Sequence, residues 1–172
     1  DSPFAISGKP VHLNYWDDFL GVKFLRFWSG EESWGAIEYE PGKYDWRHLD
    51  AMVKKAKEKG VEILWTVFGP PLWESSIPAG PSAALKKKQP FFYYASWPPK
   101  DLNKWYNFTY TLVKRYKDYV KYWEIWNEPN NFSFKFDPQI DYGGFCGTPK
   151  EYVEVLKTAY KACKDADPTC KV

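Results

Sequence analysis

The chain has 172 residues, enough for one domain with a core of its own. Its formal charge of +2 gives no electrostatic case for nucleic acid or an anionic membrane surface. No apolar run reaches membrane-spanning length and no signal peptide is recognisable; the start at Asp1 rather than Met leaves open that a leader or upstream residues were removed.

In chain order, Phe4-Ala5-Ile6-Ser7 reads as a short first strand, Val11 to Leu20 as a short helix ended by Gly21, and Val22 to Trp28 as a strand. A long loop follows with Glu31, Glu32, Trp34, Glu38 and Glu40. Asp45 is a candidate N-cap for the next helix, whose apolar stripe is Leu49, Met52, Val53 and Ala56. Gly60 closes that helix, and Val61 to Phe68 is the next buried strand.

Residues 69–100 form the longest loop, rich in Pro, Ser and aromatics, with Trp73 and Glu74 near its start. The basic run Lys86-Lys87-Lys88 reads as solvated loop. Asp101 caps a helix with the stripe Trp105, Phe108, Leu112 and Tyr116, and a strand opens at Tyr122. After a loop over 129–147, Thr148-Pro149-Lys150-Glu151 is a capping box with Pro at the first helical position. Tyr152, Val155, Leu156, Ala159 and Cys163 form that helix's apolar face, and a further strand would begin at Lys171-Val172.

Strands and helices alternate, which predicts a parallel sheet. Each strand leaves by a long loop and each helix returns by a few residues, the asymmetry of a (β/α) barrel whose strand-to-helix loops carry the site. The expected fold is therefore α/β of the (β/α)8 TIM-barrel type, its N-terminal half, about four β/α units in one partial-barrel domain over 1–172. A flavodoxin-like sheet is the alternative, without a phosphate-cradling glycine loop to support it.

Cys146, Cys163 and Cys170 lack zinc-like spacing; Cys163 and Cys170 flank a helix end, and both a bonded pair and reduced core thiols remain open. Asn107-Phe108-Thr109 and Asn131-Phe132-Ser133 fit the glycosylation sequon. His12 and His48 lie apart from any ligand cluster, so neither a metal nor a cofactor is implied.

The chemistry concentrates in Tyr122-Trp123-Glu124-Ile125-Trp126-Asn127-Glu128-Pro129-Asn130. Aromatic and β-branched residues run up to Trp126 as in a buried strand, and then an amide, a carboxyl and a proline arrive together. Pro129 is expected to hold Glu128 extended at the strand mouth. An apolar surround there would raise its pKa and suit it to general acid work. The plainer reading is a strand-end carboxylate capping the next turn. Aromatics at 20% of the chain, 10 of them Trp, add rings of the kind that stack on sugars, although most rings in a chain fill its core.

The string Trp-Glu-Ile-Trp-Asn-Glu-Pro-Asn resembles the acid/base strand of clan A glycoside hydrolases, most closely family 39 and also some family 5 members. Gly21-Val22-Lys23-Phe24-Leu25-Arg26 and Pro41-Gly42-Lys43-Tyr44-Asp45-Trp46 resemble the second barrel strand and the entry to its helix. The resemblance implies a retaining O-glycosyl hydrolase acting on a poly- or oligosaccharide, with Glu128 as general acid/base and Asn127 bonding the sugar 2-hydroxyl. Arg26 is the position that supports the nucleophile in such enzymes; its structural reading is an ion pair with Glu124. Trp28, Trp73 and Trp126 are the expected sugar-contacting rings.

A retaining enzyme needs a second carboxyl about 5–5.5 Å from the first. The resemblance puts it on a seventh strand, and nothing in this sequence matches it. Loss of that negative charge would leave Glu128 more readily ionised, with Glu31, Glu32 and Glu74 as spare carboxyls. Two arrangements follow: one half of a longer enzyme, which is the favoured one, or a homodimer of half barrels. The competing function is a non-catalytic carbohydrate-binding half barrel using Trp28, Trp34, Trp73 and Trp97. An assembly unit without sugar affinity is the blandest reading.

Overall fold

A computed structural model describes residues 5–8, 21–78, 94–130 and 144–172. Among them the elements run β1 (Ala5–Gly8), β2 (Phe24–Phe27), α1 (Trp34–Ile37), β3 (Glu38–Glu40), β4 (Lys43–Tyr44), α2 (Arg47–Lys59), β5 (Glu62–Val67), α3 (Leu102–Tyr116), β6 (Tyr122–Ile125) and α4 (Pro149–Ala166). The helix expected over 11–20 and the sequon at Asn131 lie outside the described residues.

The main sheet has the order β1-β2-β5-β6 and every pairing in it is parallel. The alternating strands and helices build a partial (β/α) barrel. Lys171 then re-enters the sheet beside Tyr122, again parallel, with Trp123 N–H donating to its carbonyl at 2.9 Å.

Side-chain alternation gives the sheet two different faces. Leu25 and Phe27, Ile63, Trp65 and Val67, and Trp123 and Ile125 are buried against the helices. There Trp65 stacks on Tyr116 at 5.1 Å and lies against Trp123 at 5.8 Å. The even-numbered residues line the other face. At its lower end Phe24 meets Tyr122 edge-on at 5.3 Å; above them come Arg26, Thr66 and Glu124.

The periodic stripes fall where expected: Leu49, Met52, Val53 and Ala56 on α2, and Trp105, Phe108, Leu112 and Tyr116 on α3, are buried. Gly60 ends α2 in the left-handed region at φ 64°, its N–H reaching back to Ala56 and Lys57. The capping box of Thr148 and Glu151 opens α4, with Pro149 in its first turn. Asp45 acts one residue earlier than a strict N-cap: its carboxylate accepts from the Arg47 N–H at 3.1 Å.

Several expectations are corrected. The loop after β2 holds a short helix and a hairpin. Ser33 caps α1, and the helix docks on the exit of β5 through Trp34 N–H to Phe68 O (3.0 Å) and Gly35 N–H to Gly69 O (2.8 Å). The contact is close enough that a Cβ on Gly35 would come within 3.0 Å of Pro71 Cα. Trp34 is no stacking platform: its ring is buried between α1 and α3, stacked on Phe108 at 5.2 Å. Asn107-Phe108-Thr109 lies within α3 with Thr109 buried, not in a surface loop. Of the two open readings of the cysteines the structure has the unbridged one: Cys146, Cys163 and Cys170 are buried and form no disulfide, and Cys170 Sγ contacts the Cys163 carbonyl at 3.7 Å.

Candidate active site

β6 ends in an abrupt turn. The N–H of Trp126 still bonds Val67 O on β5 at 3.0 Å, extending the sheet by one residue. Trp126 then adopts φ 71° and Glu128 φ 45°. Both values lie in the left-handed region that disfavours residues with a Cβ. Glu128 is therefore not held extended by Pro129. The local preference is overridden by anchoring on either side. The indole of Trp126 is turned into the core, 1% exposed, between Trp105 (6.2 Å) and Phe145 (5.0 Å), and its Nε1 donates to Gly144 O at 3.1 Å. Tyr152 on α4 donates its hydroxyl to Ile125 O at 3.1 Å.

This removes Trp126 from the sugar-contacting rings, since a buried indole has no face to offer. It also removes the expected apolar surround of Glu128, whose side chain is exposed to solvent.

Beside the turn, three strands share one polar cluster. Glu124 Oε2 accepts from Arg26 Nε at 2.8 Å, again from Arg26 Nη2, and from Thr66 Oγ1 at 2.7 Å. Arg26 Nη2 also donates to Asn127 Oδ1 at 2.8 Å. The parallel register sets this up by pairing Thr66 with Glu124 and Arg26 with Leu64. The Arg26 guanidinium lies 5.4 Å from the Trp28 ring, which itself contacts Phe68 at 4.4 Å. Arg26, Trp28, Asn127 and Glu124 thus form one group at the strand ends, and Glu128 follows directly on it. Thr66 was not anticipated. Its signal is its place two residues after Leu64 on the same face of β5.

Trp73 is not in that group. It lines a separate cleft with Tyr44, Glu74 and Lys104. The three spare carboxyls are each committed elsewhere. Glu32 is fully buried and accepts from Ser29 N (2.5 Å), Ser29 Oγ (2.8 Å) and Gly30 N (3.2 Å), which folds its own loop. Glu74 is buried and paired with Lys104, and Glu31 lies 3.0 Å from His48. Glu32 and Glu74 cannot move to a second catalytic position without giving up the bonds that satisfy a buried carboxylate, whereas the Glu31–His48 contact is exposed.

The family model for glycosyl hydrolase family 10 matches residues 29–172, a span that includes Asn127 and Glu128 but starts after Arg26 and Trp28. A thermostable celloxylanase from Thermoclostridium stercorarium is 29% identical over 147 residues, covering 76% of this chain and 33% of that protein. Among solved structures, a xylanase from Paenibacillus barcinonensis aligns with a TM-score of 0.62 at 16% identity, over 96% of this chain and 46% of the xylanase. A family 39 glycoside hydrolase from Bacteroides cellulosilyticus aligns with a TM-score of 0.60 at 18% identity, over 96% and 30%. The chain therefore spans a third of the curated relative's length and less than half of either structure. These likenesses share a TIM-barrel fold, of which this chain carries a part.

Proposed function

The chain belongs to glycosyl hydrolase family 10, and from that premise we propose that it supplies the acid/base half of a retaining O-glycosyl hydrolase site. The observation that carries the reading is the exit of β6, where Asn127 is tied to Arg26 while Glu128 is open to solvent. Glu128 protonates the glycosidic oxygen as the bond to the leaving sugar breaks. In the second half of the reaction its carboxylate takes a proton from the attacking water. Arg26 holds the Asn127 oxygen, which orients the amide nitrogen to donate to a sugar hydroxyl. Trp28, half-buried against Phe68, gives the sugar ring an apolar wall.

The nucleophile is a carboxylate of a further barrel strand. This assignment is supported by the commitment of Glu32, Glu74 and Glu124 to other partners. The substrate class is a β-linked polysaccharide, with xylan first because the relatives named above include a celloxylanase and a xylanase. The likeness to family 39 is kept as the alternative specificity, for shorter xylosides.

Glu128→Gln preserves shape and removes the transferable proton. It is expected to abolish turnover of xylan and of aryl β-xylosides in any active form; turnover equal to the parent would sink the assignment.

A further inference from the structure

We propose that a groove along the β3–β4 hairpin, outside the strand-end site, binds a neutral saccharide chain. Two clefts meet there. One, of about 560 Å³, lies between Tyr39, Tyr44, Trp46 and the helices α2 and α3. The other, of about 240 Å³, is walled by Trp73 and the Glu74–Lys104 pair. Tyr44 lines both, and each carries an exposed aromatic ring: Tyr39, 55% exposed, in the larger and Trp73, 38% exposed, in the smaller. The larger cleft alone falls within the usual small-ligand range of about 300–1,000 Å³.

The chemistry of the walls selects the ligand class. In the larger cleft Arg47 forks onto Asp45 at 2.9 and 2.5 Å, and Arg115 forks onto Asp50 at 2.9 and 2.5 Å. Two Arg cancel two Asp, leaving no net charge. In the smaller cleft Lys104 is paired with Glu74, and Glu38 accepts from the Trp34 indole and from Gly42 N at 2.6 Å. No bare cation waits there for a phosphate or carboxylate. Forked Arg–Asp pairs still present planar rows of donors and acceptors at the groove edge, which suit vicinal hydroxyls.

The rings divide into structural and available ones. Trp46 is covered by Tyr44 (5.3 Å, stacked) and by the Arg115 guanidinium (5.2 Å), so it serves as a backing wall. Tyr39 has no ring partner among the described residues and offers an open face. An open ring beside neutralised polar forks fits the apolar C–H face and equatorial hydroxyls of a β-linked sugar. The groove stands apart from Glu128 chemistry; it draws on the carbohydrate reading only for the choice of probe.

The test is isothermal titration of the Glu128→Gln protein with xylohexaose, cellohexaose and polygalacturonate. Stacking on one ring contributes enough that Tyr39→Ala should weaken hexasaccharide binding about fivefold to tenfold. Tyr39→Phe should stay within about twofold of the parent, because the ring face is kept. In any active form of the enzyme with Glu128 intact, Tyr39→Ala should leave hydrolysis of a short aryl xyloside unchanged, since such a substrate does not span both sites. Hexasaccharide binding that is absent, or unmoved by Tyr39→Ala, would overturn the proposal, as would a preference for polygalacturonate. A failure of Glu128→Gln to stop turnover would instead overturn the acid/base assignment and leave this groove untouched.

Discussion

Arg26 donates to Asn127 Oδ1 at 2.8 Å across 101 residues of sequence, from the same guanidinium that holds Glu124. One cation therefore fixes both the floor of the strand-end cluster and the residue that precedes Glu128. Lysine cannot reproduce the fork. Arg26→Lys is expected to lower stability by about 1–3 kcal/mol, since Glu124 is only partly covered. Urea midpoints would measure this, and a midpoint unchanged from the parent would mean the fork contributes nothing.

Trp126 secures the turn. Trp126→Ala removes a fully buried indole and should cost about 3–5 kcal/mol. Trp126→Phe keeps part of the packing but opens a small cavity and leaves Gly144 O without its donor, a loss of about 1–3 kcal/mol. Equal losses in the two variants would show that the ring's packing is not what holds the turn.

Gly35 sits where α1 presses on the backbone of Pro70 and Pro71. Gly35→Ala should destabilise by about 1–3 kcal/mol through overpacking, despite alanine's better helix propensity. A stabilised variant in thermal melts would contradict the close approach.

Asp167 carries a pH dependence. Burial by itself would raise its pKa, but the Lys121 ammonium at 2.7 Å and the hydroxyl and amide of Thr169 outweigh that and hold it at about 2. The folded pKa lies below the unfolded value of about 3.9, so the carboxylate's contribution is complete above that value and lost as pH falls through about 2. The shift corresponds to about 2–3 kcal/mol. Lys121→Met should remove most of this acid sensitivity between pH 4 and about 2; an identical stability–pH slope in that variant would rule the pair out as its source.

The thiols give a simple readout. Burial pushes the Cys163 and Cys170 pKa values up, and Cys146 is likewise covered. All 3 cysteines should resist a thiol reagent in the folded protein and react in denaturant. Rapid labelling of the native chain would contradict their burial.

Local physics was readable from the sequence. The stripe Leu49–Met52–Val53–Ala56 and the Thr148–Glu151 box depend on neighbours three or four residues away, and both are found in place. The parallel sheet followed from the order of elements. The conformation of Glu128 departs from the expected extended one because the preference of residues before proline is local, whereas Trp126 is fixed by Val67 and Gly144. The sequence alone leaves Glu32 and Glu74 as spare carboxyls, because their burial is decided by bonds to Ser29 and Lys104. The octapeptide pointed to family 39 within its clan; the matched family model is family 10. The Arg26–Glu124 pair was legible as an obvious match of charges, but the reach of the same arginine to Asn127 was not.

The cluster of Arg26, Thr66, Glu124 and Asn127 has a bearing on folding kinetics. Its bonds close loops of 58, 98 and 101 residues and require β2, β5 and β6 to be in register together. Contacts of such separation form late, after the loop-closure entropy has been overcome by packing of nearer neighbours. Changes in the cluster should therefore speed unfolding more than they slow folding. The strand ends would become competent only in the last step of assembly, and in stopped-flow experiments Glu124→Gln should raise the unfolding limb without changing its slope and leave the refolding limb nearly unmoved.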